Sequence, residues 1–449
     1  MLMNSLFQNA AWLMLEKLTK LGVAFVLMGL IARKLGPEDF GVLSLGLALV
    51  TIIWAAASLG LDQVLLKEFF NDSYSDEALF STAFVLRLGA ALLLAVPGLA
   101  LVWLYAELSV EHRLAYSIIL GSLLFYNFTT YQTYFQAKGR SSNIARVGLI
   151  SLLLTALVKV WLLLHDYGLL AFAWSMVLDV AVNLALFYLL RGQQTIVIRL
   201  ASVDWRIFQA LWRAALPMLV SSLVIVVYTR VDQLMIASMM GVAQAGVFSV
   251  AVRIVESFAV VPMLVATAFF PLLCANPGAE TSRGYFDVVF FSAWTGALAV
   301  WLVSQWLVPW LFGAEYLPAL GILHLSLIAA VFSVIGVACT NYLVVMNLGY
   351  LRPVRLLGGL LLNVILNYFL IPLYGLAGAA WATLASQLFA SWLGNLLNRK
   401  THECLRLQCL TLLTLGLPGV RAALLGAARG GLQPEPRTPN SPQPQQDKP

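Results

Sequence analysis

Residues 32–44 read ARKLGPEDFGVLS and residues 237–249 read ASMMGVAQAGVFS. A shift of 205 residues lays Ala32 on Ala237, Gly36 on Gly241, Gly41 on Gly246, Val42 on Val247 and Ser44 on Ser249. A second match stands at nearly the same offset. Tyr167-Gly168-Leu169 with Ala173-Trp174 reappears as Tyr374-Gly375-Leu376 with Ala380-Trp381. Collinear matches of this kind mark an internal repeat, and the glycines in them suit tight turns between apolar helices. The chain therefore reads as two homologous halves.

The segments around these turns are apolar. Of 449 residues, 61% are hydrophobic and 11% charged, where soluble domains carry about 25% charged residues. So much apolar surface needs lipid as its solvent. A bilayer core takes about 20 apolar residues per helix. Runs near that length lie at 9–32, 41–65, 80–105, 114–137, 146–164 and 169–190, and again at 213–238, 246–273, 285–311, 319–346, 354–372 and 376–397. The expected fold is all-α and integral to the membrane, with about 12 transmembrane helices in two parallel six-helix halves around a central cavity. An even number of spans per half makes the repeats parallel, related by an axis along the membrane normal. The expected organisation is a six-helix bundle over 1–195, a cytoplasmic linker over 196–212 and a second bundle over 213–400. An interfacial or additional helix follows over 401–432, and a Pro-, Gln- and Asn-rich tail over 433–449 is expected to be disordered.

Orientation follows from loop charge. Gaps on one side, from Lys67 to Lys400, hold 13 Lys and Arg residues, and the alternate gaps hold only Arg33, Lys34 and Arg113. The positive side faces the cytoplasm, so both termini are expected there, in a multi-pass protein of the inner (cytoplasmic) membrane. Glu16, Lys17 and Lys20 interrupt the first apolar run and no small-residue cleavage site follows, so that run is expected to remain as a span.

Charged residues inside spans are the informative ones, since each costs about 2.5–3.5 kcal/mol at the helix centre. Span one carries Glu16, Lys17 and Lys20; span seven carries Arg230 and Asp232; span eight carries Arg253 and Glu256. A rise of about 1.5 Å per residue puts Arg230 and Arg253 about 10 Å below one surface and Lys20 about 18 Å below it. Spans one, seven and eight can thus line one cavity with cations. The rival reading makes Arg230 with Asp232, and Arg253 with Glu256, ion pairs that fix helix packing. Arg87 and Lys159 read as interface anchors, with Asp179 able to face Lys159. Tyr126, Asn127, Tyr131, Gln132 and Tyr134 in span four suit either a polar cavity or interhelical contacts.

Ala32-Arg33-Lys34-Leu35-Gly36-Pro37-Glu38-Asp39-Phe40-Gly41, together with Leu59-Gly60-Leu61-Asp62, resembles the turn pattern of the polysaccharide repeat-unit flippases, of O-antigen type. Those belong to the multidrug, oligosaccharidyl-lipid and polysaccharide exporters. The resemblance implies a polyprenyl-diphosphate-linked oligosaccharide as cargo, moved to the periplasmic leaflet by alternating access, with membrane lipid around it and a polysaccharide polymerase as a further partner. It gives Lys17, Lys20, Arg230 and Arg253 a role in binding the diphosphate. It gives Glu16, Asp232 and Glu256 a role in coupling to H+ or Na+.

Other classes fit less well. No GxxxxGK[ST] sequence is present, so ATP does not drive the cycle. Cys274, Cys339, Cys404 and Cys409 match no zinc or redox spacing, and His112, His165, His324 and His402 are scattered. No cofactor, nucleic-acid partner or enzymatic activity is expected. A multidrug/cation antiporter on the same fold and a flippase for the peptidoglycan lipid precursor remain as alternatives.

Overall fold

The computed structural model describes the backbone of residues 2–71, 74–104, 108–190 and 198–428, and side chains within 19–71, 74–104, 108–189 and 198–422. The side chains of Glu16 and Lys17, and the tail over 433–449, lie outside the described residues. All regular structure among the described residues is helical. In chain order the helices are α1 (Leu2–Ala57), α2 (Leu61–Asn71), α3 (Asp76–Leu104), α4 (Val110–Gly121), α5 (Phe128–Ala137), α6 (Ser141–Leu164), α7 (Leu169–Leu190) and α8 (Trp205–Met240). There follow α9 (Val242–Ala275), α10 (Ala279–Leu307), α11 (Ala319–Val345), α12 (Arg352–Tyr374), α13 (Leu376–Ser391), α14 (His402–Thr414) and α15 (Leu417–Ala428).

Among the described residues nine helices are long and apolar enough to cross a membrane. The first of them contains two spans, because Gly36 breaks α1 with a non-helical backbone (φ 73°, ψ 174°). Two further apolar runs are interrupted. The run at 114–137, expected as one helix, is α4, a 3-10 turn over Ser122–Phe125, and α5. Gly121 and Asn127 flank that turn, and both residue types propagate helix poorly. The last run ends early as α13 and a 3-10 turn over Leu393–Leu397. With these, the described residues accommodate the twelve expected runs.

The repeat is visible in the backbone. Gly241 closes α8 with φ 96° and ψ 167°, close to its counterpart Gly36. Pro37 follows Gly36, and a residue before proline is kept out of the helical region while proline itself suits a first helical turn. The two turns pack against each other. A Cβ added to Gly41 would lie 2.2 Å from the Val242 carbonyl oxygen, and one added to Gly246 would lie 2.0 Å from the Pro37 carbonyl oxygen. Pro37 and Val242 are repeat equivalents, so the junction is the same from both sides. Around it, the Tyr316 hydroxyl donates to the Ala32 carbonyl (3.0 Å) and Arg33 Nη1 to the Trp310 carbonyl (2.8 Å). Lys34 pairs with Asp166, and its hydrogen bond and charge hold the Asp166 carboxyl below the usual range.

The chain divides into two compact units. One comprises Met1–Ser257, Val300–Ala329 and Pro353–Ser386. Its apolar core includes Leu61, Leu65 and Phe69 of α2, Phe80 of α3, Tyr131 and Phe135 of α5, and Phe187 of α7. Tyr131 is thus packing material: its ring meets Phe80 edge-on, with centroids 4.7 Å apart. Arg87 is wholly buried, where the sequence suggested an interface anchor. Its Nη2 donates to Asp62 Oδ1 (2.7 Å), its Nη1 to Thr130 Oγ1 (3.1 Å) and its Nε to the Ser58 carbonyl (3.3 Å). A buried guanidinium persists only with such partners.

The other unit comprises Phe258–Ala299, Ala330–Arg352 and Gln387–Pro449. Tyr285, Phe286 and Val289 of α10 pack with Cys339 and Tyr342 of α11 and with Cys404 and Leu407 of α14. Asp287 of α10 is buried and accepts from Thr411 Oγ1 (2.7 Å) and the Gly419 backbone N–H (3.1 Å). It thereby ties down α14 and α15. These helices have 13 and 12 residues. At about 1.5 Å per residue, neither reaches across a hydrocarbon core of about 30 Å. Leu415 and Gly416, both at positive φ, separate them.

Candidate functional site

Within the first unit, α1, α6, α7 and α9 enclose a cavity of about 330 Å³. Helical spacing puts one face of each helix on it. Lys20, Ala24, Leu27 and Met28 come from α1. Ser151, Thr155 and Lys159 come from α6, four residues apart in succession; Asp179 and Asn183, again four apart, come from α7. Arg253 comes from α9. Among the described residues that line it, Lys20, Lys159 and Arg253 stand with one carboxylate, Asp179.

The polar groups are ordered by contacts with one another. Lys159 Nζ stands 2.5 Å from Asp179 Oδ2. Asn183 Nδ2 donates to Ser151 Oγ (2.8 Å) and to the Asp179 carbonyl (2.7 Å). Neither Lys159 nor Asp179 stood out from the sequence as a site residue, nor did Asn183. The polar spacing of four on α6 and α7 was the available signal.

The residues singled out in the sequence separate into two groups. Lys20 and Arg253 meet at the cavity. Arg230 does not line it: its Nη1 lies 2.8 Å from Glu256 Oε1, while Glu256 Oε2 lies 3.5 Å from Arg253 Nη1. One carboxylate thus serves two arginines. Of the ion pairs in the rival reading, Arg253–Glu256 forms and Arg230–Asp232 does not, because residues two apart on a helix point about 160° away from each other.

Asp232 faces α12 and α13 instead. Its Oδ1 accepts from Asn367 Nδ2 and its Oδ2 from Thr383 Oγ1, each at 2.6 Å. Asn367 Nδ2 also donates to Asn363 Oδ1 (3.1 Å). Asp232, Asn363 and Asn367 are all buried, and no Lys or Arg pairs with Asp232 among the described residues. Asn367 Oδ1 is buried without a hydrogen-bond partner. Both oxygens of the buried Asp232 carboxylate are thus held by neutral donors, an amide N–H and a hydroxyl, at a place where a proton or a hard cation can bind only by displacing or weakening those bonds. No cluster of three His, Cys, Asp or Glu side chains able to hold a metal occurs among the described residues.

The polysaccharide biosynthesis protein family matches residues 30–321. Among solved structures, the lipid II flippase MurJ in an inward closed conformation superposes with a TM-score of 0.70 at 12% identity, over 90% of this chain and 91% of that one. A multidrug resistance MATE family transporter of the MOP superfamily, inward-facing, gives 0.67 at 16% identity, over 87% and 95%. A MOP superfamily transporter from Pyrococcus furiosus, described by a binding pocket of reverse polarity, gives 0.61 at 16%, over 89% and 96%. At these identities the likeness is one of fold. No curated protein sequence matches the chain.

Proposed function

The chain belongs to the polysaccharide biosynthesis protein family, with the fold of the MOP transporters, and from that premise we propose that it flips a polyprenyl-diphosphate-linked oligosaccharide from the cytoplasmic to the periplasmic leaflet. The observation that supports this reading is the gathering of cations at the cavity: among its described lining residues Lys20, Lys159 and Arg253 stand with one carboxylate, Asp179, and Glu256 reaches Arg253 from beside it. A diphosphate cannot enter a low-dielectric interior unpaired, and lysine and arginine bind its oxygens through charge-assisted hydrogen bonds. An organic cation would meet repulsion at the same place. Lipid II carries the same diphosphate; the family match favours the polysaccharide precursor. The cavity is at the small end for ligand sites of about 300–1,000 Å³, so it suits the charged head of the cargo while the polyprenol stays in lipid.

The cycle needs an energy source, and the Asp232 cluster is its proposed entry point. Asp232 ties α8 to Asn367 of α12 and Thr383 of α13; uptake of H+ or Na+ at its carboxylate weakens those hydrogen bonds and lets α8 move. The protein sits in the inner membrane with both termini cytoplasmic and delivers cargo on the side where a polysaccharide polymerase consumes it.

The test uses proteoliposomes loaded with a lipid-linked oligosaccharide, read by the accessibility of its sugars to an added glycosidase. Lys20→Ala and Arg253→Ala should each slow flipping about tenfold or more. Unchanged rates in both variants, or selective export of organic cations by the parent chain, would overturn the reading. Asp232→Asn should abolish the dependence of rate on an imposed Na+ or pH gradient. If that dependence persists, the coupling assignment is wrong.

A further inference from the structure

A transporter must release what it binds, and Glu256 stands where it can set that balance. Its two carboxylate oxygens are divided between helices: Oε1 lies 2.8 Å from Arg230 Nη1 on α8, and Oε2 lies 3.5 Å from Arg253 Nη1 on α9. Only Arg253 of this trio lines the cavity. Arg230 has its Nε buried without a hydrogen-bond partner, so it draws on Glu256 strongly. The result is a lopsided bridge, tight to Arg230 and loose to Arg253.

We propose that Glu256 is a positioning residue that acts as an internal competitor for Arg253, keeping the affinity of the cavity for a diphosphate low enough for release. The inference rests on the anionic-cargo reading above. An arriving diphosphate takes Arg253 from the longer of two contacts, and Glu256 then serves Arg230 alone. On departure, Glu256 recaptures Arg253 and offsets the loss of the anion. Without this carboxylate Arg253 would stand uncompensated at the cavity, and the interior would hold its cargo too firmly. Tighter ground-state binding does not speed a cycle limited by release. Lys159 shows the same arrangement, already matched to Asp179 at 2.5 Å. The two cations differ in the slack of their partner, and the slack lies at Arg253.

The consequence runs against the usual effect of breaking an ion pair. Removing Glu256 should strengthen binding, and removing Arg230 should weaken it, because Glu256 is then free to occupy Arg253. A purely structural triad would show both substitutions acting in the same direction. The probe is farnesyl diphosphate, titrated against the full chain in nanodiscs, with turnover of the lipid-linked oligosaccharide measured in proteoliposomes. Glu256→Gln should bind the probe at least about tenfold more tightly and turn over more slowly, with its half-saturation falling alongside. Arg230→Gln should bind it more weakly, and the double variant should bind as tightly as Glu256→Gln, because with the competitor gone Arg230 has nothing left to restrain. Should Glu256→Gln not yield folded protein, the signs for Arg230→Gln and the double variant decide the matter alone. If Arg253→Gln abolishes binding but Glu256→Gln weakens it or leaves it unchanged, Glu256 is no competitor, and the anionic-cargo reading stands. If the parent chain binds the probe no better than Arg253→Gln does, both fall together.

Discussion

Gly246→Ala should force apart the two matched turns, and the size of the effect can be worked from the junction itself. The added Cβ would lie 2.0 Å from the Pro37 carbonyl oxygen, where ordinary contact begins at 3.4 Å. The shortfall is the difference, about 1.4 Å. Backbone rather than a mobile side chain stands in the way, and Pro37 stiffens it. Sliding along the junction brings no relief, since Gly41 meets Val242 just as closely on the other side (2.2 Å). Overpacking costs about 1–3 kcal/mol, and a backbone obstacle belongs in the upper part, about 2–3 kcal/mol. At tenfold per 1.4 kcal/mol, the population in which the turns touch should drop by about 30- to 150-fold relative to a separated state. The assay places a single cysteine at Ala32, which is fully buried beside the junction, in a chain whose four native cysteines are replaced. Reaction with a membrane-impermeant maleimide should accelerate by that factor. Gly89→Ala, where an added Cβ meets nothing within 4 Å, should leave the rate as it was. A folded Gly246→Ala protein with the parent's labelling rate would refute the argument that this contact holds the turns together.

Three further outcomes follow from contacts elsewhere. Arg87→Met removes every charge-assisted bond to Asp62, Thr130 and the Ser58 carbonyl and should destabilise the protein by about 2–4 kcal/mol in detergent unfolding; a loss too small to resolve would mean the pocket rehydrates freely. Asp287→Ala removes acceptors from Thr411 and Gly419, each worth about 1.5–3 kcal/mol, so proteolysis between α14 and α15 should quicken; a parent-like cleavage rate would count against the tether. Asp166 has a depressed carboxyl in its pair with Lys34, so its stabilising effect is present above the ordinary value of about 3.9 and lost as pH falls through its lower folded value. The unfolding temperatures of the parent and of Asp166→Asn should therefore differ at about pH 5, converge at lower pH and differ less in high salt; a gap that widens on acidification would reverse the assignment.

How much of this was legible in the sequence depended on which coordinate of a helix was asked for. Hydropathy and the 205-residue repeat carry span number and half-to-half equivalence, because both depend on position along the chain. Depth is also readable, since the helical rise is nearly constant; that is how Arg230 and Arg253 could be placed at one level, with Lys20 about 8 Å deeper. Azimuth is not. Arg230 lies at a similar depth and turns to Glu256, while Asp232, two residues on, turns to partners 135 and 151 positions away. Nothing local says which helices will be neighbours there. The interruption of the fourth span also escapes a hydropathy window, because Leu123, Leu124 and Phe125 keep the average high while the backbone leaves the helical ladder.

The junction of the two turns has a property that side-chain contacts lack. On the far side of each glycine stands a carbonyl oxygen, which every amino acid possesses, so the fit demands hydrogen in place of a side chain at two points and is indifferent to the identity of its opposite number. Copies related by a two-fold axis can meet in the same fashion across a subunit boundary. ARKLGPEDFGVLS and ASMMGVAQAGVFS can accordingly drift in charge and bulk, one acquiring Arg33, Lys34, Glu38 and Asp39 while the other stays neutral, without loosening the seam. Specialisation of one half is thereby uncoupled from the contact that both halves share.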